Sequence, residues 1–217
     1  MTFLTDWGNS FPQLLDGLKT SVQLSAGSLG LGMPLGLLLA LGSASRIRPI
    51  RYVVIGLVEI GRGTPALVML QIVYFGLPSQ GLSLTNFVSA TLALALTTGA
   101  YASEIIRGGL QSVPQGQLEA SGALGMSRFA TLRFIVIPQG LRVAIPSLLG
   151  LAILIFQATS LAYTIAIPEL LQAAYQVGSA TFKYLSVLSL AGLMYLAITI
   201  PASWLTERVE RRLARHV

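Results

Sequence analysis

The sequence predicts an all-α integral membrane protein. It is one domain over residues 1–217, with five membrane-crossing helices and one short helix between the third and fourth. Three observations predict this. Of 217 residues, 53% are hydrophobic and only 10% charged, where a soluble domain carries about 25%. Mean hydropathy is +0.73, and so few charges cannot cover a water-facing surface. Apolar windows near twenty residues recur along the whole chain, which excludes a soluble protein with a few buried helices. Lys and Arg gather in alternate connections. The ten-residue alternation of a membrane barrel is absent.

The N-terminal arm carries Asp6 and Asp16 and has no basic region, so no cleavable signal peptide is expected. The spans are expected at residues 18–42, 53–77, 87–106, 135–162 and 184–205. At 1.5 Å per residue each reaches across a layer of about 30 Å. Arg46, Arg48 and Arg51 follow the first span. Arg107, Arg128 and Arg133 lie between the third and fourth. Arg208, Arg211, Arg212 and Arg215 follow the fifth. Residues 78–86 carry no charge, and residues 167–183 carry one lysine and one glutamate. Lys/Arg excess marks the cytoplasm, so the N-terminus is expected outside and the C-terminus inside. The net charge of +6 then reflects orientation in the membrane and not nucleic-acid binding. No internal repeat is visible, and five spans enclose a solute path poorly alone, so a second copy or a similar subunit is expected.

Residues 114–125 form a small, Gly/Ala-rich, polar segment on the expected cytoplasmic side. Pro114 fits a first helical turn and Gly125 a left-handed stop, with a helix of about ten residues between. The residues alone allow two readings: a plain re-entry loop, or a docking knob for a cytoplasmic protein. An isolated helix this short is marginal in water and needs support.

Polar residues within the spans are the candidate solute contacts. Glu59 and Arg62 stand at i,i+3, as do Glu104 and Arg107, so each pair shares a helix face. They organise the bundle and the contact with a second subunit, or they place Glu104 beside the solute path. Gly63 and Pro65 flank Thr64, and a kink is expected there. Gln157, Thr159 and Ser160 insert an amide and two hydroxyls into an apolar helix. They bond neighbouring helices or hold the ends of an amino acid. Gly27, Gly30, Gly32 and Gly36 are read as packing positions.

Enzyme chemistry is not expected. The single histidine is His216, so no His-based triad and no zinc site is available. Cysteine is absent, and so is the phosphate-binding loop G-x-x-x-x-G-K-[ST]. Catalytic residues, metals and cofactors are all expected to be none.

Glu119-Ala120-Ser121, then Gly125, then Ile137-Pro138, resembles the EAA loop of ATP-binding-cassette importer permeases. Arg62-Gly63-Thr64-Pro65, Gly99-Ala100-Tyr101, the run Glu104 to Pro114, Thr159-Ser160-Leu161 and Ile167-Pro168-Glu169-Leu170 are similar to its polar amino-acid uptake branch. The resemblance implies the type I importer fold in a bacterial inner membrane. It implies a second permease, a cytoplasmic ATPase dimer, an external solute-binding protein and an amino-acid substrate. It also implies that Gln117, Leu118, Glu119, Ala120, Ser121, Gly122, Ala123, Leu124 and Gly125 form the helix that couples to the ATPase. Ser121 and Gly122 depart from the usual residues but are small. Relatives for cationic amino acids often carry an Asn-Glu pair where this chain has Gly150 and Leu151. An acidic or neutral amino acid is therefore favoured. The alternative is a cationic amino acid with its site on the partner permease.

Overall fold

The computed structural model describes residues 3–214; Arg215 and His216 lie outside them. Helix α1 spans Phe3–Ser43, so the arm before residue 18 is helical too. Its apolar side explains this: Trp7, Leu14 and Leu18 pack with Leu170, Val187 and Leu190, and the Trp7 indole donates to the Ser186 carbonyl at 2.9 Å.

The second apolar segment is not one kinked helix. Helix α2 (Arg48–Gly63) and helix α3 (Ala66–Ser79) meet at 106°. Thr64 is extended, with φ −87° and ψ 124°, as a residue before proline prefers. Pro65 brings no N–H to continue the ladder. Residues Ile72–Gly76 of α3 form a π turn.

Helix α4 (Asn86–Gln111) starts at Thr85, whose hydroxyl accepts from the Val88 amide at 3.3 Å. It is the central helix, packed against α1, α2 and α3 and against the long helix that follows. Among the described residues, three helical stretches are long and apolar enough to cross a membrane: residues 5–43, 128–165 and 184–213. The bent α2–α3 pair makes a fourth candidate. At 26 residues α4 has the length but falls outside that set. Its Ser and Thr residues, Gly99 and Gly109 face protein, and hydroxyls such as Thr98 (2.6 Å to the Leu94 carbonyl) bond their own helix.

Small residues let α1 approach α4. A Cβ at Gly32 would stand 2.5 Å from the Thr98 Cβ, and one at Gly36 would stand 2.6 Å from the Ala102 Cβ. Gly27 sits nearly as close to Thr91, but a Cβ at Gly30 would meet nothing within 4 Å. Gly30 therefore does not belong with the packing positions.

Helix α5 (Gln115–Ala123) follows. Helix α6 covers residues 128–165. It begins earlier than the apolar run because Ser127 caps it, accepting from the Ala130 amide at 3.2 Å. It contains a π turn at Leu132–Val136 and ends in a 3-10 turn at Thr159–Ile165. Helix α7 (Leu170–Thr181) lies within the charge-poor connection over residues 167–183. Helix α8 (Tyr184–Ala214) completes the chain.

Candidate functional site

Helix α5 stands between α4 and α6 as a short knob. Pro114 is its N-cap, one position ahead of the expected first turn. Its end is a Schellman motif: the Met126 amide donates to the Ser121 carbonyl, and the Gly125 amide to the Gly122 carbonyl, each at 3.0 Å. Gly125 has φ +71°, the left-handed conformation its identity predicts. Ser121 is buried, and its hydroxyl donates to the Leu118 carbonyl at 2.7 Å and accepts from Thr131 at 3.1 Å. Gln139 of α6 donates to the Gln117 side chain. These bonds supply the support that a nine-residue helix needs. Glu119, Ala120, Gly122, Ala123 and Gly125 are exposed, and Leu124 is 80% exposed. Of the nine coupling residues the resemblance implied, only Ser121 is buried.

The two charged pairs form one cluster. Arg107 grips Glu104 with Nε at 2.8 Å and Nη2 at 2.5 Å, and Nη1 donates to Gln111 at 2.9 Å. Arg62 Nη1 reaches Glu104 at 3.3 Å and Glu59 at 3.6 Å, joining α2 to α4. Glu104 thus lies at the centre of an ion-pair network, beside a cleft of about 340 Å³.

The remaining candidate hydroxyls are held by their own helices. Thr64 donates to the Ile60 carbonyl at 2.7 Å and Ser160 to the Gln157 carbonyl at 2.8 Å. Thr159 is fully buried and donates to the Phe156 carbonyl at 2.7 Å. Each hydroxyl is engaged with its own helix. Gln157 is exposed and its amide has no partner among the described residues.

Glu169 is the residue that sequence reasoning passed over. It is fully buried. Its carboxylate caps α7, accepting from the Gln172 amide at 2.8 Å and the Leu171 amide at 2.9 Å. It also accepts from Tyr195 of α8 at 3.1 Å and Ser21 of α1 at 3.4 Å. One side chain therefore ties three helices. Burial pushes this carboxyl above its ordinary value, against the opposing pull of those hydrogen bonds. The signal was Pro168-Glu169, a lone acid directly before the two leucines that open α7.

Residues 32–215 match the family described as "Binding-protein-dependent transport system inner membrane component". The chain is 38% identical to the L-cystine transport system permease protein TcyB of Bacillus subtilis, covering 95% of this chain and 89% of that one. It is 36% identical to the histidine/lysine/arginine/ornithine transport system permease protein HisM of Salmonella typhimurium, covering 93% and 90%. Among solved structures it is similar to a crystal structure of an amino acid ABC transporter with histidines. That similarity has a TM-score of 0.93 at 32% identity, over 98% of this chain and 99% of the other.

Proposed function

We infer that this chain, which belongs to the family of binding-protein-dependent transport system inner membrane components, is the membrane-spanning subunit of an ABC importer for an amino acid. In this reading α1, the bent α2–α3 pair, α4, α6 and α8 are five spans, with the N-terminus outside and the C-terminus in the cytoplasm. A second permease, identical or similar, completes the solute path. An external binding protein delivers the amino acid, and a cytoplasmic ATPase dimer supplies the energy. Nucleotide-driven closure of the ATPases draws the two α5 knobs together, and the helices rock to expose the solute inward.

The observation that carries this reading is the form of α5. Its inner side is fastened by Ser121–Thr131 and Gln117–Gln139, while Glu119, Gly122 and Leu124 are left open. A knob held rigidly from behind transmits force; a loose loop does not. The test is Glu119→Lys in the assembled complex, reconstituted in vesicles. Reversing the charge on the open side is expected to lower both uptake and substrate-stimulated ATP hydrolysis at least tenfold. Full rates in both would remove the coupling assignment.

For the solute, a neutral or acidic amino acid is favoured. Glu104 is tied to two arginines, and Leu151 stands where a cation-binding acid is expected. A cation without a free acid is a poor guest in a low-dielectric site. The likeness to TcyB accords with this. The likeness to HisM favours the second reading, a cationic amino acid held by the partner permease.

A further inference from the structure

The charge cluster of α2 and α4 divides into a spent half and an unspent half. Glu104 and Arg107 are spent: three of the arginine's donor directions end on Glu104 and Gln111 at 2.5–2.9 Å. Arg62 is different. Its Nη1 alone serves Glu104 at 3.3 Å and Glu59 at 3.6 Å, both longer than the roughly 2.7–2.9 Å of a charge-assisted hydrogen bond. Its Nε and Nη2 donate to no atom among the described residues. Glu59 is held by that one long contact, and its side chain is 65% exposed against 36% for Arg62.

The space around this pair is open. A Cβ on Gly56 or Gly63 would meet nothing within 4 Å, and both glycines lie on Glu59's face of α2. Glu59, though not Arg62, lines the 340 Å³ cleft beside Glu104, Arg107 and Gln111, a volume ample for an amino acid. Arg62 is the penultimate residue of α2, directly before the 106° break. The Tyr101 hydroxyl donates to its carbonyl at 3.2 Å and fixes its place. Tyr101 is ten residues from the end of α4, about 15 Å along the axis, or half of a layer of about 30 Å. Two opposite charges with unspent bonds are costly at that depth. An aqueous path that brings a doubly charged guest removes the cost.

We propose that Arg62 and Glu59 recognise the amino-acid zwitterion, Arg62 taking the α-carboxylate on its free Nε–Nη2 edge and Glu59 the α-ammonium. The proposal rests on the importer reading. It makes this pair a reader of what every amino acid shares, leaving the side chain to other residues.

The twenty amino acids are first screened for ATP-driven uptake by the whole complex in proteoliposomes, and the one taken up becomes the probe. Its binding to the complex in nanodiscs is then measured beside its α-amide and its N-acetyl derivative. The α-amide is expected to bind roughly 10- to 100-fold more weakly, the worth of a charged hydrogen-bonded contact. Arg62→Ala should lose a similar factor and cease to distinguish acid from amide, and Arg62→Lys should recover part of it. Glu59→Gln should cease to reject the N-acetyl derivative. Where Arg62→Ala does not assemble, Arg62→Lys and Glu59→Gln read the two halves. Variants that melt like wild type and still reject both derivatives overturn the proposal while leaving the importer reading intact. So does a wild-type complex that transports the probe but does not bind it. Uptake of none of the twenty removes both.

Discussion

At the residue scale, Glu169 shows how one buried carboxyl organises three helices. Its carboxyl is raised by burial, so the folded state holds its proton more tightly than the unfolded chain does. The sign follows: below the unfolded value, about 4.3, both states are protonated and the group's contribution to stability is complete. As pH rises through the raised folded value that contribution is lost. The detergent-purified chain should therefore melt higher near pH 5 than at pH 8. Glu169→Gln should flatten this slope while losing about 1 kcal/mol from the α7 cap; an unchanged slope in melting scans would place the pH dependence elsewhere. Ser121 carries a lesson of the same size. The sequence marks it only as a small replacement in a motif, but its hydroxyl is what fastens the knob to Thr131. Which side of a nine-residue helix turns inward depends on α6, and no local pattern states that.

At the element scale, long apolar periodicity was legible and interruptions were not. The first, fourth and fifth spans appear as long helices, each extending past its apolar run because capped or packed polar residues continue the backbone. Gly63-Thr64-Pro65 announced a break, but its 106° turn required Leu70 and Val73 of α3 to find Ala90 and Leu94 of α4. Composition read the four α1 glycines alike, and geometry separates them. Gly32→Ala forces a Cβ to 2.5 Å from Thr98 and 2.8 Å from the Ala95 carbonyl, so it should cost about 1–3 kcal/mol. Gly30→Ala enters open space and should be neutral, or gain up to about 1 kcal/mol from helix propensity. Thermal unfolding in detergent compares the two. Equal effects would mean that α1 and α4 are not pressed together through Gly32.

At the scale of the whole molecule, the rows of polar and apolar groups that this chain leaves open indicate how it works with others. The fold keeps its central helix dry and its hydroxyls spent, yet it leaves Leu124 80% exposed and Phe129 69% exposed beside the knob. A single exposed leucine is ordinary. Two large apolar side chains at the rim of a fastened, polar knob form a surface suited to a cleft in another protein. Buried apolar contacts of this size are worth about 1.5–3 kcal/mol each. Leu124→Glu, which leaves the Schellman bonds of α5 in place, should therefore weaken association with the ATPase subunits at least tenfold without altering the melting of the isolated chain. Co-purification and light scattering measure the first effect, and a melting scan the second. If Leu124→Glu assembles as tightly as wild type, Leu124 is not part of the proposed docking surface. The proposed coupling then rests on Glu119 and its small neighbours, which the Glu119→Lys test reads directly.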